Sequence, residues 1–487
     1  MTIPAEQQDV AGFLSRLAGG PPKETHISAV FIGSDTVWKL KKAVRLPFLD
    51  FTALDARAHF LRRELELNQP WAPGLYHDVA GIVRLADGTL AFGDDNPIEF
   101  VLRMGKVPKA DFGDEIVSNN GLTEKLLDEI GDTVSRYHQS LPPVHSSEFP
   151  RSMLRITEGN ALSAVAAGLP DVGAWKKRMV SAIGARHAWL SGRDRNGFVR
   201  RCHGDLHLGN ICLWQGHPVP FDALEFDEAL ATIDVGYDLA FLLMDLDHRA
   251  GRAAANRVMN RYMARTADID ALTGFPIFLS QRAMIRAHVM AAMNQDGTRY
   301  LAAAADYLTR TEPVMIAIGG LQGTGKSTLA RALAPEVPPA PGALVLRSDE
   351  IRKRLQGVSP EQRLTPDAYS AESNAAVNEM LIASAETAAR SEHSTIVDAT
   401  FLDVEMRGKL KAAASKYGVR FIGFWLQAPI SLLEHRVLSR LGDASDATVD
   451  VLHRSAISDP GPGDWIPIDA TDKSAALASV RQTILSR

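Results

Sequence analysis

The sequence predicts two domains, an α+β domain followed by an α/β domain built on a parallel sheet, and three observations carry that expectation. At 487 residues the chain exceeds what one hydrophobic core ordinarily organises. Up to about residue 308 short strands come first and helical patterns follow; beyond it, short apolar strands alternate with helices, the pattern of a parallel sheet flanked by helices. The third observation is local. Gly319-Gly-Leu-Gln-Gly-Thr-Gly-Lys-Ser-Thr328 stands between the apolar run Val314–Ile318 and the helix-forming stretch Leu329–Ala334.

Taken in order, Val10, Phe13, Leu14 and Leu17 recur at helical spacing and predict a short amphipathic helix over 9–18. Ile27–Ile32 and Thr36–Leu40 read as strands joined by the turn Gly33-Ser34-Asp35. A helix is expected over Leu54–Asn68, then strands at Gly81–Leu85, Leu90–Phe92 and Ile98–Met104. Helical patterns cover Leu122–Leu141 and Leu162–Leu190, and helices resume after a polar cluster at 200–238. The second domain contributes Val314–Ile318, Ala343–Leu346, Thr395–Val397, Val419–Leu426 and a weaker Ile466–Ile468. We place the boundary near 309–313, giving domains 1–310 and 311–487, and read Pro335–Pro341 as a loop within the second.

Composition narrows the class. The chain is 46% hydrophobic and 23% charged, as in globular proteins, and no apolar run approaches the ~20 residues that span a bilayer. The first residues lack a basic and an apolar region, so no signal peptide is expected. Cys202 and Cys212 are the only cysteines, which excludes a disulfide framework and fits a reducing cytoplasm; both read as packing residues. The formal net charge of −5 is spread along the chain and argues against a large nucleic-acid footprint.

From Gly320 to Ser327 the sequence fits G-x-x-x-x-G-K-[ST], the Walker A pattern, with the strand before and helix after that it requires. Gly320, Gly323 and Gly325 let the backbone wrap phosphate oxygens, with Thr324 and Thr328 flanking the cradle. The new helix turns its positive end toward them. Lys326 is expected on the β- and γ-phosphates of ATP and the Ser327 hydroxyl on Mg²⁺. Arg347-Ser-Asp349-Glu-Ile-Arg352 follows the next strand, so Asp349 is placed at a strand end, with Arg352 one turn on. Asp398 closes Thr395–Val397 likewise, and Arg436 and Arg440 share one helix face at i,i+4.

In the first domain, His203-Gly-Asp205-Leu-His-Leu-Gly-Asn210 sets an Asp five residues before an Asn, and Phe221-Asp222 closes an apolar stretch. That is the spacing of a kinase catalytic loop and its metal-binding Asp: Asp205 to take the proton of an attacking hydroxyl, Asn210 and Asp222 to hold Mg²⁺. The sequence here resembles the aminoglycoside phosphotransferase and choline-kinase-like family, whose H-G-D-L-H-x-G-N it carries, with Ile233-Asp234-Val-Gly-Tyr-Asp238-Leu-Ala240 similar to the family's D-P-x-x-D-L-A. The resemblance implies a bilobal protein-kinase-like fold, with Lys39 as the strand lysine on the phosphates and Glu64 as its helical partner. Lys41 shares the strand face of Lys39 and is an alternative. Because the Asp222–Asp238 stretch is longer than the family pattern, Asp227 rivals Asp222 for the metal. Arg282 and Arg286, one turn apart, are read as substrate contacts or surface charge.

The second domain is similar to the P-loop kinases that include polynucleotide 5′-hydroxyl kinase, zeta toxin and chloramphenicol phosphotransferase. That resemblance implies Asp349 as base, Arg352 as a substrate or phosphate contact, and Arg436 and Arg440 as a lid; Asp398, from its place at a strand end, is expected to help hold Mg²⁺ through water or to contact substrate. Gly442–Ala447 receives no role. The expectation is a cytoplasmic, ATP- and Mg²⁺-dependent phosphotransferase with two candidate sites acting on hydroxyls of small molecules. Two alternatives stand beside it, a nucleic-acid 5′-hydroxyl kinase in the second domain and a regulatory module with one inactive domain.

Overall fold

A computed structural model describes residues 2–46, 49–439 and 444–485. The chain forms two compact units, Met1–Ser152 with Ser191–Leu242, and Met153–Leu190 with Leu243–Arg487. The boundary expected near 309–313 falls inside the second unit.

In the first unit, β1 (Lys23–Glu24), β2 (Ser28–Ile32) and β3 (Thr36–Lys41) precede a small hairpin of β4 (Arg45–Leu46) and β5 (Leu49–Asp50). With β6 (Tyr76–Arg84), β7 (Leu90–Phe92) and β8 (Glu99–Gly105) they give an antiparallel sheet of order β1-β2-β3-β8-β6-β7. Strand alternation divides β3 between two faces. Leu40 and Trp38 pack with Ala29, Phe31, Val101 and the helix Gln8–Ala18. Lys39 and Lys41 point the other way, toward the helix Leu54–Asn68. β6 begins five residues earlier than its sequence pattern suggests, because Tyr76 and Leu75 are drawn into the cluster beneath that helix.

Four short strands finish this unit: β9 (Val199–Arg201), β10 (Ile211–Trp214), β11 (His217–Pro220) and β12 (Thr232–Asp234). β10 and β11 form a hairpin whose turn residues Gln215 and Gly216 have φ of 52° and 81°, as a tight two-residue connection requires. β12 pairs with β9, which closes the 201–232 segment into a loop anchored at both ends. The helical stretch expected over 162–190 is shared by three helices, Phe149–Ala166, Val172–Ala185 and His187–Arg195, the first break falling where Gly168 takes φ 77° ahead of Pro170.

The second unit holds the parallel sheet β14-β15-β13-β16-β17, made of β13 (Val314–Gly320), β14 (Leu344–Arg347), β15 (Thr395–Asp398), β16 (Arg420–Gln427) and β17 (Ile466–Asp469). β13 is buried along its whole length, as a central parallel strand covered on both faces must be. Its core joins Ile316, Ile318, Leu329, Leu333, Ile396, Phe424 and Val480. The edge strand β14 is covered by the helix Arg252–Thr266. Asn260 Oδ1 accepts from Val345 N at 2.6 Å, and Asn256 Nδ2 donates to Ala343 O at 3.0 Å. Side-chain amides thus replace a missing neighbouring strand. Among the described residues no helix is long and apolar enough to cross a membrane.

Candidate active sites

The first site starts from the two lysines that β3 turns toward one helix. Lys39 Nζ donates to Glu64 Oε1 and to Asp222 Oδ1, each at 2.6 Å. Lys41 Nζ donates to Glu64 Oε2 at 3.0 Å and to Glu225 Oε1 at 2.5 Å. The two differ in exposure: the Lys41 side chain is 0% exposed and Lys39 13%, while Asp222 beside Lys39 keeps 43%. Lys39 therefore faces the cleft and Lys41 the interior. Burial alone would lower the pKa of Lys39, yet Asp222, Glu64 and Glu225 outweigh it and hold the ammonium well above its ordinary value. Asp222 is drawn below the usual carboxylate range, burial opposing and Lys39 prevailing.

Asp222 takes a left-handed φ of 60°. The strain is held by two bonds to the following turn: Asp222 N donates to the Tyr76 hydroxyl at 3.0 Å, and Ala223 N to Asn68 Oδ1 at 3.0 Å. Asp227 is elsewhere, accepting from Ala229 N at 2.9 Å and Leu230 N at 3.0 Å as cap of the short helix Glu228–Ala231.

Asp205 and Asn210 meet in the loop between β9 and β10. Asn210 Nδ2 donates to Asp205 Oδ2 and to Asp205 O, both at 2.9 Å, which leaves the amide oxygen of Asn210 as an acceptor. The loop hangs on Asp238, whose oxygens accept from His203 N at 3.1 Å and Gly204 N at 2.9 Å, with His138 Nε2 at 3.1 Å. His138, Cys202 and Asp238 are buried together with donor atoms within 4.8 Å, and fasten the loop from below. Gly204 has φ 84°, and a Cβ there would lie 3.1 Å from the Leu224 side chain. Arg193 and Asp234 add a wholly buried pair, Nε to Oδ2 at 2.7 Å and Nη2 to Oδ1 at 2.8 Å.

The second site is built at the carboxyl end of β13. Gly320, Gly323 and Gly325 all have positive φ, 132°, 84° and 89°. A Cβ at Gly320 would come within 2.5 Å of Leu426 O, so the first two glycines answer to close backbone approach as well as to conformation. Lys326 opens the helix Lys326–Leu333 and its Nζ donates to Gly320 O and Leu321 O at 2.9 Å each. Thr324 is buried, its hydroxyl on Leu321 O at 2.8 Å, and Thr328 is exposed. Ser327 Oγ donates to Asp398 Oδ2 at 2.5 Å, and Arg347 joins both. Serine and aspartate oxygens are the donor set a hard divalent cation takes.

Asp349 lies half-buried in the first turn of the helix Ser348–Leu355, close enough to act on the charge of Arg352. Arg352 donates to Ala368 O at 2.8 Å and Asn374 Oδ1 at 2.7 Å, with the ring of Tyr369 against its guanidinium. Arg436 donates to Ala470 O at 2.9 Å and Thr471 O at 2.7 Å; Arg440 lies outside the described residues. Asp446, which had no role, binds Lys353 Nζ at 2.7 Å, Tyr369 Oη at 2.8 Å and Leu364 N at 3.0 Å. Arg282 is buried rather than surface charge.

Sequence reading missed Glu225, Tyr76, Asn68, Arg347 and the anchoring role of Asp238. Glu225 stands three residues after Asp222, and Arg347 two before Asp349. Proximity to a motif was the only signal; their partners come from distant strands.

Two family models match this chain, the phosphotransferase enzyme family over residues 95–275 and an AAA domain over 315–456. These matches place a kinase-like region ahead of a P-loop kinase region and support a phosphotransferase. An uncharacterized protein of Mycobacterium tuberculosis is 28% identical over 458 residues, 88% of each chain, and one of Mycobacterium bovis matches to the same extent. Among solved structures, a glucosamine kinase in complex with glucosamine, ADP and inorganic phosphate covers 62% of this chain and 85% of its own at 17% identity and TM-score 0.39. A putative kinase from Chloroflexus aurantiacus covers 35% of this chain and 98% of its own at 23% identity and TM-score 0.28.

Proposed function

We propose that this protein transfers the γ-phosphoryl group of ATP to a hydroxyl of a small molecule, in the cytoplasm, at two sites carried by residues 1–310 and 311–487. The observation that carries the reading is Lys39, held at 2.6 Å by both Glu64 and Asp222 on the open side of the first site. A lysine so placed, charged and partly accessible, is fitted to grip phosphate oxygens, while Glu64 fixes its reach. Asp205 would accept the proton of the attacking hydroxyl, oriented by the amide of Asn210.

In the second region Lys326 and the glycines of 320–325 would cradle the phosphates, with Thr324 and Thr328 at its margin. Asp349 would serve as base, and Arg352 would position the segment that meets the acceptor. Arg436 and Arg440 would supply lid charge once the phosphates draw Arg436 from its carbonyl partners. Asn210 with Asp222, and Ser327 with Asp398, would hold Mg²⁺. When bound, Mg²⁺ supplies neutralisation of phosphate charge. Catalysis would come from positioning and electrostatic stabilisation, without a covalent enzyme intermediate.

The test uses the full chain with aminoglycosides, amino sugars, nucleosides and short oligonucleotides as acceptors. Lys326→Ala is expected to abolish one ATP-dependent transfer and Asp205→Ala a separable one. If neither substitution alters transfer to any acceptor that the unaltered chain phosphorylates, the reading fails.

A further inference from the structure

Arg347 ends β14 with 2% of its side chain exposed, and its guanidinium reaches the oxygens of Ser327, Asp398 and Glu350. Nη2 donates to Ser327 Oγ at 3.0 Å, Nε to Asp398 Oδ2 at 3.3 Å, and Nη1 to Glu350 Oε1 at 2.9 Å. The first two oxygens are those assigned above to a divalent cation. The third belongs to a carboxylate on the next helix, whose other cationic neighbour is Arg331 at 3.5 Å. Ser327 gives its proton to Asp398, so a hydroxyl lone pair faces the guanidinium.

We propose that Arg347 is a positioning residue of the P-loop site: an internal cation that holds Ser327 and Asp398 together and competes with the divalent cation for their oxygens, Glu350 carrying its charge when the cation binds. This rests on the P-loop reading above. A guanidinium stays protonated at any ordinary pH, so Arg347 cannot yield by losing its charge. Two cations on one pair of oxygens repel strongly where water is scarce, so Arg347 yields by moving. The geometry allows a short movement, because Glu350 already holds Nη1 at 2.9 Å. A pivot of the whole planar guanidinium about its Nη1–Glu350 bond, taken up by the side-chain torsions before Nε, releases Nε and Nη2 and keeps Nη1 in place. Cation affinity at this site is then set by the Arg347–Glu350 pair as much as by the ligands themselves.

The experiment measures Mn²⁺ binding to the full chain at saturating ADP by the electron paramagnetic resonance of free Mn²⁺. The component that Lys326→Ala removes is taken as the P-loop site. Arg347→Gln and Arg347→Met are each expected to raise the Mn²⁺ affinity of that component about tenfold, and Glu350→Gln to lower it about threefold. In the Arg347→Gln background, Glu350→Gln should have no effect. Arg347→Gln keeps hydrogen-bonding capacity, so it serves if Arg347→Met does not fold. Unchanged Mn²⁺ affinity in the Arg347 variants overturns the proposal, as does a Glu350→Gln effect that persists without Arg347. A loss of ADP affinity in Arg347→Gln, with Mn²⁺ affinity unchanged, overturns it in favour of a phosphate contact. If the unaltered chain has no Lys326-dependent component, the P-loop reading itself falls and the proposal with it.

Discussion

Lys39 and Lys41 are two residues apart and chemically identical, yet the structure gives them opposite surroundings. Lys39 shares Glu64 with the half-open Asp222; Lys41 shares it with the buried Glu225. The buried member is a matter of stability. Removing Lys41 leaves Glu64 facing Glu225 without the cation between them, so Lys41→Met is expected to cost about 3–5 kcal/mol, read from urea unfolding. Removing both charges, Lys41→Met with Glu225→Leu, should recover most of that loss, because Glu64 retains Lys39. An equal or larger loss in the double variant would show that the pair does more than neutralise itself. Lys39→Ala should cost less in unfolding than Lys41→Met, because Asp222 is open to solvent and Glu64 keeps Lys41, and should weaken nucleotide binding.

Elements are joined in this molecule by single buried groups at strand ends. His393 sits just before β15, and its Nε2 hydrogen-bonds Gly342 O at 3.0 Å just before β14. Burial pulls its pKa from 6.5 down to about 4, the bond to Gly342 only partly opposing. The folded chain therefore holds His393 neutral where the unfolded chain begins to protonate it. Its contribution is complete above pH 6.5 and drains away as pH falls toward 4, a loss of about 3 kcal/mol. Urea midpoints at pH 7.5, 6 and 5 should fall progressively, and His393→Gln should flatten that fall. A parallel decline in the variant would place the acid sensitivity elsewhere. The expected strands of both sheets form; where an expected element changed, Gly168 and Pro170 interrupt a helical stretch locally, and packing of Tyr76 beneath the helix Leu54–Asn68 lengthens one strand.

For the whole molecule, the second compact unit unites helices from before residue 311 with the parallel sheet that follows it. Asn256 and Asn260 occupy the outer edge of β14, the position another strand would otherwise take. A fragment of 311–487 alone would expose that edge, and is expected to run in size-exclusion chromatography as larger assemblies than the full chain forms. Asn260→Leu in the full chain leaves Val345 N without its acceptor and should cost about 1–3 kcal/mol. A monomeric, stable fragment would show that the helix merely lies beside the sheet. The proposed division at 310 is thus one of chemistry, and the compact units follow packing instead.

The sequence alone determined the strand–loop–helix of the phosphate cradle, the loop carrying Asp205 and Asn210, and most strands, since each depends on neighbours within a few residues or on a periodicity of two or 3.6. It left Lys39 and Lys41 equivalent and Asp222 and Asp227 as rivals, and it left Arg347 and Glu225 unremarked. Those choices were made by the tertiary structure. Charge and burial at each of these side chains are set by groups far along the chain, Glu64 and Asp222 for Lys39, Asp398 and Ser327 for Arg347, and electrostatic energy depends on distance in space rather than in sequence.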